Sequence, residues 1–374
     1  MFNEFESHTA TAWRERVEKD RKGTNPEQNF GWRLTENESI DPFDTTSAGT
    51  FLLSDPFHSW HIGEDIFVKN DIIAANQQLL DALAGGVDAP RLVLEKDFNP
   101  NHLEALLANV LLEYITVHIY FPNEDVKIIA KLLQHFYDLV VKKNLSLRRV
   151  EGSFQLPLSG EKQLWQYPDL LFWAAEHLPN FRIITLSNDS PTLDLKSPDR
   201  QLADVLTNGN QCLSHLVHLG WDVKSANRLL QFSMSIGINY FLEIAKLRAL
   251  RLLWGNILAA YGGAILSEIP PVEVHFFEKN YDEIENSNRI RATTLAMAAA
   301  IGGADRMTVR PAEQGDNSAF DRRIARNVQH ILKMESFLDR VKDPSAGSFY
   351  IEQLTEKIAT SAWAIFQKNS EFPT

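Results

Sequence analysis

Ile115-Thr-Val-His-Ile-Tyr120 is followed by Asp125-Val-Lys-Ile-Ile-Ala-Lys-Leu-Leu-Gln-His-Phe-Tyr-Asp-Leu-Val-Val-Lys142 and then by Leu147-Arg-Arg-Val150, a short β-rich run, a long helical pattern and a second β-rich run. Such a unit predicts two parallel strands joined by a right-handed helical crossover. Working outward, the same alternation holds on both sides. Further strands are predicted at Thr50–Leu53, Arg91–Leu94, Phe181–Leu186, Val272–Phe277 and Arg306–Val309. The helical stretches between them are Asn70–Leu83, Asn101–Leu112, Pro168–His177 and Ser287–Ala300. Seven or eight units in roughly three hundred residues favour a closed (β/α)8 TIM barrel over an open sheet. The open sheet also lacks its usual phosphate loops, since neither G-x-G-x-x-G nor G-x-x-x-x-G-K occurs.

One region departs from the alternation. Pro198–Leu219, Lys224–Ser235 and Asn239–Leu258 read as three helices with no strand between them, a helical insertion on one side of the barrel. In the last of these, apolar residues recur at Phe241, Ile244, Leu247, Leu252, Leu253 and Ile257, with Glu243, Lys246, Arg248 and Arg251 among them. The apolar pattern covers more than one face, so this helix is predicted to be buried with its charges paired. Residues 1–45 are polar and broken by Pro26, Gly31 and Pro42; beyond a charged helix over 11–22 they read as an extended N-terminal arm. The barrel domain is then 46–374.

The chain has 374 residues, 44% hydrophobic and 23% charged, with 37 basic against 49 acidic side chains and a net charge of -12. That is the composition of a globular protein, and no basic stripe interleaved with aromatics points to nucleic acid. Neither a signal peptide nor a membrane-length apolar run is evident. The single cysteine, Cys212, excludes an internal disulfide and suits a reducing, cytoplasmic setting.

Candidate chemistry is thin. His58 and His61, with Glu64 and Asp65, have metal-like spacing, but Pro56 and Gly63 argue against a helix there and no third ligand is evident. His215 and His218 read as helix-packing residues. His275, near the end of a predicted strand, occupies a catalytic position in a barrel, although a hydrogen-bonded core histidine fits equally. Glu95 and Asp97 stand similarly after a strand. Arg289, Arg291, Arg306, Arg310, Arg322, Arg323 and Arg326 form a basic cluster that could hold phosphates or pair with nearby acids, ion pairing being the commoner outcome. Cys212 lies mid-helix as a packing residue.

Longer motifs add a resemblance. Asn239-Tyr-Phe-Leu-Glu-Ile-Ala-Lys-Leu-Arg-Ala-Leu-Arg-Leu-Leu-Trp254 is similar to the N-F-F-x-E-[IV]-A-K-x-R-A-x-R-x-L-W helix of the methylmalonyl-CoA mutase family. Arg323-Ile-Ala-Arg-Asn-Val-Gln329 and Val341-Lys-Asp-Pro-Ser-Ala-Gly-Ser-Phe-Tyr-Ile-Glu352, with Leu354 and Thr355, resemble R-I-A-R-N-T-Q and V-x-D-P-x-G-G-S-x-Y-x-E-x-L-T. Ala296-Met-Ala-Ala-Ala-Ile-Gly-Gly303 resembles A-M-A-A-x-x-G-G, and Trp13 with Lys19-Asp-Arg-Lys-Gly23 resembles the arm before the barrel. The likeness is weak between about 45 and 165.

The resemblance implies an isomerase that rearranges acyl-CoA in a (β/α)8 barrel, served by adenosylcobalamin on a separate flavodoxin-like domain. It also implies a loss. The family's Tyr-His pair falls on Asp189 and Ser190, which cannot replace an imidazole donor at a thioester carbonyl. The V-R-N-T arginine should fall near 152–154, yet no arginine occurs between Val150 and Phe181. Ser59-Trp-His-Ile-Gly-Glu64 stands in place of R-P-W-T-x-R-Q-Y-A-G, and no D-x-H-x-x-G cobalamin loop occurs. The chain is therefore expected to be the small, non-catalytic subunit of a heterodimer. It would have no cobalamin-binding domain in this stretch, no catalytic residues and no cofactor of its own. Adenosylcobalamin and methylmalonyl-CoA would be handled by a catalytic partner subunit, and Phe172, Trp173 and Phe276 are available to fill the barrel. The alternative is an active acyl-CoA mutase barrel using a separate cobalamin-binding chain.

Overall fold

The computed structural model describes residues 9–20, 32–33, 39–40, 59–156, 167–187, 197–262, 269–276, 280–312 and 318–370. Eight parallel strand runs form its centre: β1 (His61–Gly63 and Asp65–Val68), β2 (Arg91–Leu94), β3 (Thr116–Tyr120), β4 (Glu151–Gln155), β5 (Phe181–Arg182 and Ile184–Ser187), β6 (Leu230–Ile236), β7 (Val272–Phe276) and β8 (Arg306–Thr308). One five-stranded sheet runs from the second half of β1 through β2, β3 and β4 to the start of β5. The other runs from the end of β5 through β6, β7 and β8 back to the first half of β1. Only Glu64 and Ile183 separate the halves of the two shared strands, and backbone bonds from Arg91 N to Glu64 O and from Ile183 N to Leu229 O, each 2.9 Å, run along these seams. The eight runs thus follow one another in a ring, the (β/α)8 barrel predicted from the alternation.

Side chains alternate across the ring as strand geometry requires. Val272, Val274 and Phe276 of β7 are buried on the face opposite Glu273 and His275. Phe276 therefore belongs to the layer between strands and helices, not to the axis. Gly152 in β4 has no room for a side chain, because a Cβ there would lie 1.8 Å from the Val117 carbonyl oxygen of β3.

The helices are α1 (Ala10–Asp20), α2 (Ile72–Ala84), α3 (Leu103–Leu106), α4 (Val126–Lys142), α5 (Pro168–His177), α6 (Pro198–His218), α7 (Val223–Arg228), α8 (Tyr240–Ala260), α9 (Glu285–Ile301), α10 (Ala319–Met334) and α11 (Phe349–Ser370). In α4, Asp125 caps the start by accepting from Lys127 N, and Ile129, Leu132, Leu133, Phe136, Leu139 and Val140 are buried. The helix stops at Lys143, followed by Asn144 in the left-handed region (φ 54°). Helix α8 is buried on nearly every face, between α9, α11 and α6.

Three expectations shift. The strand predicted at Leu147–Val150 lies at Glu151–Gln155. The helix predicted over Lys224–Ser235 shrinks to α7, and Leu230–Ile236 is strand β6, so α7 is all that remains of the helical insertion. The helix predicted over Asn101–Leu112 reduces to a 3-10 turn and α3. The strand expected at Thr50–Leu53 and most of the arm lie outside the described residues. No helix among the described residues is long and apolar enough to cross a membrane.

Candidate functional site

In most barrels the lumen is filled by branched apolar side chains. Here the inward positions carry Asp65, Arg91, His118, Ser153, Gln155, Gln231, Ser233, Ser235, Glu273, His275 and Arg306, while Phe67, Val93 and Tyr120 face inward nearer the C-terminal mouth. Gln155 Nε2 donates to Glu273 Oε1, joining β4 to β7. Arg91 Nη1 of β2 lies 3.4 Å from Gln155 Oε1 and 3.9 Å from Glu273 Oε1. Strands this far apart around the ring can exchange bonds only across the axis, so these three side chains cross the lumen. Arg91 also forms a two-pronged pair with Asp65 (Nε–Oδ1 2.8 Å, Nη2–Oδ2 2.7 Å), and Arg306 pairs with Glu273. Ser233 Oγ donates to Glu273 Oε1 at 2.6 Å.

Electrostatics follow from that packing. Burial alone would raise the Asp65 carboxyl, but the adjoining Arg91 guanidinium outweighs it and holds the group below the usual carboxylate range. Burial, reinforced by Arg91, lowers Arg306 to about 9. His118, bonded to Ser153 Oγ through Nδ1 at 2.7 Å, is pushed well below the ordinary imidazole value by burial and then by the Arg306 charge. Two arginines and two carboxylates make the cluster nearly charge-balanced, which is how a buried charged group is tolerated.

Beneath the cluster, at the N-terminal mouth, lies a cavity of about 560 Å³ whose lining includes His61, Asn180, Arg182, Arg228, Gln231 and Arg306. Towards the C-terminal mouth, His275 contacts Ser235 Oγ (Nε2, 2.9 Å) and Ser233 Oγ (Nδ1, 3.4 Å). It is hydrogen-bonded within the lumen, the reading in which it serves as a core histidine.

The other predicted positions scatter. His61 pairs with Asp88 at 3.3 Å, Asp65 with Arg91, and Glu64 points outward to Arg326 Nη1 at 2.5 Å. Among the described residues these three go to separate partners and no three-residue metal group exists; His58 lies outside the described residues. Glu95 and Asp97 are exposed. His218 Nδ1 lies 3.0 Å from Ser214 O one turn back on α6. Phe172 lies outside the barrel, stacked on Trp221 with centroids 4.5 Å apart, and Trp173 stacks on His177 at 4.7 Å; neither fills the axis, which polar groups occupy instead. Five of the seven arginines of the basic cluster form ion pairs: Arg289 with Asp321, Arg291 with Asp282, Arg306 with Glu273, and Arg322 and Arg326 with Glu64; Arg323 lies over the Phe320 ring at 5.5 Å. Asp189 and Ser190 lie outside the described residues. At 152–154, where the family arginine was expected, β4 carries Gly152, Ser153 and Phe154.

The motif residues serve the helix layer. Arg248 of α8 reaches Asp343 (Nε 3.1 Å, Nη2 3.0 Å), Glu352 (Nη2 2.8 Å) and Thr355 (Nη1 3.0 Å). Lys246 pairs with Glu243 at 2.6 Å and reaches Gln201 and the Ser235 carbonyl. Arg251 pairs with Asp305 at 2.7 Å, Trp254 Nε1 donates to Asn227, and Gln329 Nε2 donates to the Gly63 carbonyl. Gly303 takes φ +86° just after α9.

Comparison with known proteins agrees with that motif set. The family description "Methylmalonyl-CoA mutase" matches residues 144–372. The methylmalonyl-CoA mutase small subunit of Porphyromonas gingivalis is 32% identical over 397 residues, covering 98% of this chain and 63% of that protein. The small subunit of Streptomyces virginiae is 31% identical, covering 81% and 50%. The P. gingivalis large subunit is 26% identical, covering 65% and 36%. The chain thus spans between half and two thirds of the small subunits' length. Among solved structures, dihydropteroate synthase from Thermus thermophilus covers 81% of this chain at a TM-score of 0.41 and 14% identity, too distant for any residue to be transferred. With the family match extending over more than half of its length, the chain belongs to the methylmalonyl-CoA mutase family.

Proposed function

We propose that this chain is the barrel of a small, non-catalytic mutase subunit that works in the assembly and stability of a cytoplasmic heterodimer. The catalytic partner would interconvert methylmalonyl-CoA and succinyl-CoA with adenosylcobalamin. The observation that carries this reading is the cross-lumen contact of Arg91, Gln155 and Glu273, with Asp65 and Arg306 behind it. An acyl-CoA lying along the axis would have to displace a nearly charge-balanced, buried network and leave its members unpaired. The residues present do not fit a cobalamin-served reaction centre either, because the lumen below the C-terminal mouth holds that network where a substrate would have to lie. The sequence supports the same reading through Asp189 and Ser190, and the relatives through the name small subunit. The chain would comprise the arm at 1–45 and the barrel at 46–374.

The test is reconstitution. This chain with an isolated cobalamin domain should give no turnover of methylmalonyl-CoA. Co-expressed with a large-subunit chain, it should purify as a one-to-one complex and raise the thermal midpoint of that chain. Turnover without any other barrel overturns the proposal in favour of an active mutase barrel using a separate cobalamin-binding chain.

A further inference from the structure

Helix α10 buries Ala325, Val328, Gln329 and Leu332 against the barrel. A helix on a water-facing surface carries polar residues on its other side. Here the outer side carries Phe320, Arg323, Asn327, Ile331 and Met334, all exposed, and their spacing of three and four residues sets them in one stripe. Three of these side chains are large and apolar, and Met334 is 64% exposed. At 1.5 Å per residue the stripe is about 21 Å long, longer and better aligned than the scattered apolar exposure of an ordinary surface. It continues past the helix end. Phe337 holds φ +52°, a left-handed conformation that an aromatic residue adopts at a cost and that Gly or Asn takes more readily. Its ring is nevertheless 55% exposed, so packing in the core does not offset that backbone. Strain kept where it serves no internal packing points to an external role.

Arginines frame the stripe. Arg323 lies over the Phe320 ring at 5.5 Å, Arg289 of α9 over the same ring at 5.9 Å, and Arg340 over Phe337 at 5.7 Å. Arg340 also approaches Asp339 at 3.6 Å, and Glu335 is exposed beside Met334. Over residues 319–342, six Lys or Arg stand against three Asp or Glu, in a chain whose net charge is -12. Phe, Met and Arg around an apolar centre are the side chains that protein interfaces concentrate. A second copy fits poorly: a two-fold contact sets the same patch against itself, cation against cation, and brings two acidic chains together. An acidic rim on a different chain meets neither penalty. We infer that the outer stripe of α10, with Phe337, is the docking surface for the catalytic mutase subunit, which meets it with an apolar centre and an acidic rim. This inference rests on the chain being a small mutase subunit.

The test is binding of the full chain to the large-subunit chain used in the reconstitution, by titration calorimetry, with the thermal midpoint of the free chain read alongside. Ile331→Gln combined with Met334→Gln should weaken the complex by about tenfold or more. The free chain should stay folded, since Gln is a good helix former at exposed positions. Phe337→Asn should also weaken the complex, yet leave the free midpoint equal or higher, because Asn accepts the left-handed backbone. Arg323→Glu should slow association and reduce its salt dependence. Val141→Ser, at an exposed apolar residue of α4 on another side of the barrel, is the control and should bind as the wild type does. A complex whose affinity is unchanged in the Ile331/Met334 and Phe337 variants overturns the inference and leaves the small-subunit reading standing. No complex with the unaltered chain overturns both. A marked fall in the free midpoint of the glutamine variant would mean that a segment of this same chain covers the stripe, which overturns the inference, as does self-association of the free chain that the same substitutions abolish.

Discussion

Arg248 and Arg306 have side chains exposed by only 2% and 6%, and both face carboxylates. Arg248, between helices α8 and α11, spends all three nitrogens on Asp343, Glu352 and Thr355. Arg306, in the lumen, pairs through one nitrogen and leaves two without a partner among the described residues. The motifs shared with the mutase family fall on the first cluster. None of Asp65, Arg91, Gln155, Glu273 and Arg306 belongs to a shared motif. Saturation of hydrogen bonds suits a brace between helices. The family likeness therefore resides in how the helices are locked around the barrel, and the departure resides in what stands on the axis.

Breaking the brace should have the largest effect. Arg248→Met leaves Asp343 and Glu352 buried without their cation, a loss of about 3–5 kcal/mol, read as a fall in the urea midpoint. A loss below about 1 kcal/mol, the surface-pair range, would contradict the account of Arg248 as a brace. In the lumen, Glu273→Gln and Arg306→Gln should be non-additive. The double variant should be more stable than the sum of the single losses by about 1–3 kcal/mol, and a coupling near zero would mean that the two do not act as a pair.

A smaller effect concerns acid. Asp65 has its folded-state pKa held below its unfolded value. Its contribution is therefore complete above about pH 4 and lost as pH falls through the lower folded value. Asp65→Asn should cost about 1–2 kcal/mol at neutral pH, and its urea midpoint should converge on that of the wild type as pH falls below about 4. Parallel curves would remove the Arg91 pairing as the cause. The smallest expected signal is at Cys212, fully buried in α6, where burial pushes the thiol pKa up. It should not react with a thiol reagent until the chain unfolds; a rapid reaction would show that the helix layer admits solvent.

Much of the barrel was legible because β2, β3, β5 and β7 contain Val, Ile, Leu or Phe at their outward positions. The strands that escaped, β1, β4 and β6, show why the signal fades. Leu-Gln-Phe-Ser-Met-Ser-Ile at 230–236 alternates strictly, but Gln231, Ser233 and Ser235 face a polar lumen, and a helical run precedes them closely enough to absorb the segment. Glu151-Gly-Ser-Phe-Gln155 has a single apolar side chain to announce it. The arginines near the C-terminus were readable as ion pairs. The lumen cluster was not, since Gln155 and Glu273 stand 118 residues apart and no local pattern reports a bond made across a ring.

The reach of Arg248 has a temporal side. Its carboxylate partners, Asp343 and Glu352, follow it by 95 and 104 residues. On a ribosome adding roughly 5–20 residues per second, helix α8 emerges about 5 to 20 s before the chain that neutralises it. For that interval a cation destined for the interior has only solvent to hold it. Nascent chains of this protein should consequently remain open on the α8 side until α11 arrives, and that side is where a chaperone would find them.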